Sequence, residues 1–131
     1  MYIFSRTRQA RADRFFDAMP SSVEVARKVT EITGLDVHAW NIRFGQSTGT
    51  IMWSVRVDSQ AQLFEATEKM MVDATYVEMS MPLGELFEGP TTDQLVRIVS
   101  GTPSERPSKY ISTTQAMMAS GHYGAHRVRS R

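Results

Sequence analysis

Few side chains in this 131-residue sequence could move a proton or receive a developing negative charge. His38, Asn41, Arg43, Arg56 and Tyr2 are the candidates near a prospective sheet, joined by the indoles of Trp40 and Trp53. Imidazole is the natural proton carrier near neutral pH, and arginine and asparagine donate to oxyanions. Position limits what they can do together. Side chains alternate across a strand, so over residues 37–44 His38, Trp40, Ile42 and Phe44 share one side, with Val37, Ala39, Asn41 and Arg43 on the other. Trp40 and Asn41 therefore cannot line one pocket from a regular strand. His38 is open to two readings, a ligand such as haem would need or a structural or surface histidine. Trp40 and Trp53 also read as core residues.

The C-terminal residues offer different chemistry. His122 and His126 are four apart, the spacing that puts two ligands on one helical face, but no carboxylate accompanies them. No metal site is therefore assigned. Arg127, Arg129 and Arg131 with Tyr123 could touch nucleic acid, or could be a solvated end, and nucleic acid is not the expected partner. No glycine-rich phosphate-binding spacing occurs, and with no cysteine there is neither a thiolate nucleophile nor a disulfide. No cofactor is expected.

The elements that must position these residues follow from periodicity. Residues 2–7 alternate and predict a first strand. Phe16, Met19, Val23, Ala26, Val29 and Ile32 recur at steps of three and four, predicting a helix. Pro20 interrupts that pattern, and Ser21 with Glu24 resembles a capping box, so the main helix is placed after the proline, with Gly34 as its C-cap. Residues 37–44 and 50–57 form a hairpin around the loop Gly45–Gly49, with Ile51, Trp53, Val55 and Val57 on one face of its second strand. Ser59 with Gln62 marks a second helix, whose buried face draws on Leu63, Phe64, Ala66, Met70 and Met71. Pro82 and Gly84 break up the Met-rich stretch 76–87, and residues 95–99 predict a fourth strand. Phe16, Val29, Trp53, Val55 and Leu63 are the expected core.

The order β-α-β-β-α-β predicts an α+β, ferredoxin-like antiparallel sheet over residues 1–101, with two helical regions on one face. Residues 102–131 form a C-terminal extension: a Pro-containing linker, then Tyr110–Gln115 as a candidate fifth strand. Lys109-Tyr110-Ile111 echoes Met1-Tyr2-Ile3, which would make the extension the start of a truncated second repeat. Charge divides at the same boundary. Residues 1–101 carry 10 Lys/Arg against 13 Asp/Glu, and residues 102–131 carry 5 against 1. A basic arm on an acidic body calls for an acidic partner surface, such as a neighbouring subunit. Tyr110, Ile111, Met117, Met118, Arg127, Arg129 and Arg131 are the expected subunit contacts. No apolar run is long enough for a signal peptide or a membrane span, so a cytoplasmic location, or one within a phage particle, is expected.

This element order, hairpin and unit length resemble the dimeric α/β-barrel superfamily, which includes cofactor-independent monooxygenases of the ABM type and NIPSNAP-like proteins. The chain is also similar to uncharacterised actinobacterial and actinophage proteins that carry such a unit twice. The resemblance implies two protomers pairing their sheets face to face. It also implies an internal pocket in which Trp, Asn, Arg or Tyr bind a phenolic substrate and stabilise its anion. On this chain those positions are Trp40, Asn41, Arg43 and Arg56. Two functions follow. The first is a non-catalytic, homo-oligomeric assembly protein, a virion component for example, using its arm for subunit contacts. The alternative is a cofactor-independent monooxygenase-like or small-molecule-binding barrel.

Overall fold

The computed structural model describes residues 1–101 and 108–114, and the chain divides into two units, Met1–Gly101 and Thr102–Arg131. The first unit is a four-stranded antiparallel sheet in the order β2-β3-β1-β4, with helices against one side. Its elements are β1 (Tyr2–Ala10), α1 (Phe15–Thr33), β2 (His38–Asn41), β3 (Thr50–Val57), α2 (Gln60–Val72), α3 (Ala74–Leu83) and β4 (Phe87–Arg97). This is the expected ferredoxin-like α+β architecture.

Alternation places the core. Ile51, Trp53, Val55 and Val57 on β3 are buried, and the Trp53 indole N–H donates to the Ser22 carbonyl on α1 at 3.0 Å. That bond identifies the helix-covered side. Ala18, Ser22 and Ala26, spaced by four, form a stripe of small buried residues that lets α1 approach the indole. The Ser22 hydroxyl donates back to the Ala18 carbonyl at 2.6 Å, so the one buried hydroxyl in this seam is satisfied.

α1 begins earlier than the sequence predicts, and Pro20 lies inside it. A proline in a helix interior removes one backbone donor. Here the carbonyl that loses its partner belongs to Phe16, on an exposed first turn that water can reach. Because the helix runs unbroken through Pro20, its buried stripe is Ala18, Ser22, Val25, Ala26 and Val29. Phe16 falls outside that stripe and is 89% exposed, which corrects its assignment to the core. Phe15 packs against the core instead. Gly34 caps the helix with φ 74° and donates to the Thr30 carbonyl, a conformation an L-residue adopts at a cost.

Ser59 caps α2 as expected, its hydroxyl accepting from the Gln62 backbone at 3.1 Å while the Gln62 side chain accepts from the Asp58 backbone. Asp73 ends α2 and caps α3 through the Tyr76 N–H. The last strand is longer than the predicted 95–99 and starts at Phe87. Gly89 and Pro90 conceal it in sequence. β4 is an edge strand, where a missing N–H can face solvent, and Gly89 at φ 73° sits at the register shift opposite Thr7 to Gln9. In the second unit, residues 110–114 are not a strand. β-prone residues form one only where a neighbouring edge completes their hydrogen bonds. Gln115, Met117, Met118, His122, Tyr123, His126, Arg127, Arg129 and Arg131 lie outside the described residues. No helix among the described residues is long and apolar enough to cross a membrane.

Candidate functional site

Cross-strand register decides which side each candidate occupies. Trp40 pairs with Met52 and His38 with Ser54, so both point to the open side of the sheet, away from the helices. The Trp40 indole donates to the Ser54 hydroxyl at 2.7 Å, and its ring centroid lies 6.0 Å from that of His38. His38 Nε2 is 3.0 Å from an Asp36 carboxylate oxygen. Arg56, exposed, is on the same open side opposite Ile3. Asn41 pairs with Ile51 and therefore faces the helix side, while Arg43 is exposed beyond the end of β2. Trp40, Asn41, Arg43 and Arg56 are thus divided between two faces and a loop, and the structure brings together His38, Trp40 and Ser54 instead.

Another group of charged residues sits on the helix side. Tyr2, Phe4, Arg6 and Arg8 pair with Val57, Val55, Trp53 and Ile51, so β1 directs two arginines to the side on which β3 buries its apolar residues. Arg6 makes two parallel hydrogen bonds to Asp93 on β4, at 2.8 and 3.0 Å. Its pKa is raised above the usual arginine value, chiefly by the Asp93 hydrogen bond, with burial opposing and the charges of Asp93 and Tyr76 adding. Arg8 stacks over the Phe87 ring at 4.9 Å from the centroid, and Phe87 in turn meets Trp53 edge-on. Its Nε is buried with no hydrogen-bond partner. Such an orphaned donor costs about 1–3 kcal/mol, partly offset by about 1–2 kcal/mol from the ring. From α3, Tyr76, Met79 and Leu83 pack against the same core.

This arrangement can bind an oxygen anion. Arg8 has a donor to give, the half-buried Tyr76 offers aromatic surface, and the paired Arg6–Asp93 holds its charges in place beside them. The sequence carried the signal: Arg6 and Arg8 occupy the register of Tyr2 and Phe4, where an apolar residue is expected. A shallow depression of about 100 Å³, lined by Thr33, Leu35, Gln62, Glu65, Ala66 and Lys69, lies elsewhere, between α1 and α2. It is below the roughly 300–1,000 Å³ of small-molecule sites, and its two charged residues, Glu65 and Lys69, are exposed to solvent.

The fold matches solved structures. A NIPSNAP domain protein from Burkholderia xenovorans superposes with a TM-score of 0.68 at 10% identity, over 79% of this chain and 100% of that one. A NIPSNAP family protein from Agrobacterium tumefaciens gives 0.67 at 14% identity, over 78% and 96%. An antibiotic biosynthesis monooxygenase gives 0.57 at 13% identity, over 76% and 100%. The chain shares its ferredoxin-like fold with these NIPSNAP and monooxygenase structures. No family model and no curated protein matches its sequence. At these identities the likeness extends to the fold alone, and the site rests on Arg6, Arg8, Tyr76, Phe87 and Asp93.

Proposed function

We propose that this domain binds a small aromatic molecule with an anionic or strongly polar oxygen, on the helix side of β1 and β4. The observation that carries the reading is the Arg8 Nε, buried over the Phe87 ring with no acceptor. A phenolate or carboxylate oxygen would satisfy it with a charge-assisted hydrogen bond, and the ring of the same molecule would lie against Tyr76. The monooxygenase named among the structures of this fold supports a small-molecule role over assembly. Nothing in the described residues speaks for a virion role.

The second part of the reading is a homodimer through the open side of the sheet. A half-solvated antiparallel sheet carries polar residues on its wet face. Here Ile3, Met52 and Val96 share that face with Trp40, a surface that a second copy would cover. Titration of the protein with 4-hydroxybenzoate, followed by amide chemical shifts, tests the ligand reading. Saturable shifts at Arg8, Tyr76 and Phe87, lost in Arg8→Met, are the expected result. Shifts confined to the Thr33–Lys69 depression, or unchanged in Arg8→Met, would overturn it.

A further inference from the structure

The outer surface of α2 and α3 is apolar where a solvated helix should be polar. Leu63, Ala66 and Met70 turn α2 toward the core, and Tyr76, Met79 and Leu83 do the same for α3. At 100° per residue, Phe64, Glu68 and Val72 then lie on the far face of α2 with Met71 on its flank, and Val77 and Met81 on the far face of α3. Exposure agrees: Phe64 is 64%, Met71 71%, Val72 84% and Met81 76% exposed. Exposed Glu65, Glu68 and Glu78 border this stripe, and from Asp58 to Glu88 seven carboxylates stand against Lys69 alone. Flexible, polarisable methionines beside an aromatic ring suit an adaptable contact surface. A dimer formed through the open side of the sheet leaves this surface uncovered, because the helices lie on the other side.

We infer that this acidic, Met-rich face receives the basic C-terminal arm of another copy of the chain. Charge complementarity selects that occupant. Residues 102–131 hold five Lys/Arg against one Glu, together with Tyr110, Ile111, Met117 and Met118 as apolar anchors. The amino group of Lys109 lies 5.5 Å from the Tyr110 ring centroid, so one cation and one anchor travel together. The apolar anchors meet Phe64, Met71, Val72 and Met81, and the arginines meet the bordering glutamates. Steering between opposite charges raises the encounter rate and weakens as salt screens it.

The test mixes equal amounts of unlabelled and ¹⁵N-labelled full chain and joins amines to carboxylates with a zero-length carbodiimide. The expected product links the Lys109 peptide of one isotope to a peptide carrying Glu65, Glu68 or Glu78 of the other. Its yield falls about fivefold or more in 0.5 M salt and in the triple variant Glu65→Lys, Glu68→Lys, Glu78→Lys. Combining that variant with Arg127→Glu, Arg129→Glu and Arg131→Glu restores mixed-isotope association, read as the mass of the particle. Because every substituted residue on the helices is exposed, folding is checked by circular dichroism and is expected to be unchanged. Links only between like isotopes, links to carboxylates outside α2 and α3, or a charge swap that fails to restore association would each overturn the inference. None of these outcomes depends on whether 4-hydroxybenzoate binds.

Discussion

β1 and β3 are neighbours in one sheet and send alternate side chains under the same helices, yet they furnish that side differently. β3 supplies Ile51, Trp53, Val55 and Val57, all buried. β1 supplies Tyr2, Phe4, Arg6 and Arg8, all half-buried. The β3 side lies under the small-residue stripe of α1 and is closed by contact. On the β1 side, charges are held by Asp93 and Phe87 of an edge strand whose own residues beyond Phe87 are exposed. One strand therefore builds the core, and its neighbour sets a polar, charged rim at the edge of that core. Packing density is spent where α1 comes close, and chemistry collects where it does not.

The largest expected effect comes from breaking the β3 side. Trp53→Ala removes a buried indole and its bond to the Ser22 carbonyl, and should cost about 3–5 kcal/mol in a denaturant titration. A cost below about 1 kcal/mol would show that β3 is not the centre of the core. The β1 side should respond in the opposite sense. Arg8→Met replaces an orphaned donor with a flexible apolar chain beside Phe87, so stability should hold or rise by about 1 kcal/mol while 4-hydroxybenzoate binding is lost. A loss of stability as large as that of Trp53→Ala would make Arg8 a packing residue and erase the contrast between the strands.

How much of this could be read in the sequence depends on whether a residue's side is set locally. The limits of β3 and its apolar face follow from strict alternation between Thr50 and Val57. Ser59 and Gly34 announce the ends of their helices by chemistry that needs no tertiary partner. Phe16 lies outside the core because the helix phase runs through Pro20, and a proline reads as a break unless the exposure of the first turn is known. The first half of β4, before Leu95, is illegible in sequence because Gly89 and Pro90 oppose a strand everywhere except at an edge. The charged pair is hidden in sequence because the alternation of residues 2–7 stops short of Arg8 and does not say which side Arg6, in the register of Phe4, will occupy. Only pairing with Trp53 and Ile51 reveals which side is which. The division of Trp40 from Asn41 needed no structure, since it follows from the pleat.

A cap tests the contrast at a third site, away from both strands. Ser59→Ala removes the acceptor for the Gln62 N–H at the start of α2 and should cost about 1 kcal/mol in thermal or denaturant unfolding, with 4-hydroxybenzoate binding unchanged. Weakened binding would mean that α2 takes part in the proposed ligand site.

The smallest effect belongs to the Arg6–Asp93 pair beside Arg8. Arg6 and Asp93 are joined by two hydrogen bonds, but their side chains remain 44% and 45% exposed. A pair so open to water contributes about 0.2–1 kcal/mol, and salt reduces it. A double-mutant cycle of Arg6→Met and Asp93→Asn should return a coupling in that range, smaller in 0.5 M salt than at low ionic strength. The pH dependence has a definite sign. Asp93 raises the Arg6 pKa above its value in the unfolded chain, so the stability this gives is complete below the ordinary arginine pKa. It is lost only as pH rises through the still higher folded value. Between pH 6 and 9 the Arg6 side of the pair should therefore add no slope to stability, and its coupling should respond to salt alone. A coupling that vanished on going from pH 7 to pH 9 would mean that something other than the Arg6 guanidinium titrates at this pair. The paired side chains would then be part of a larger proton-linked group rather than a fixed rim beside Arg8.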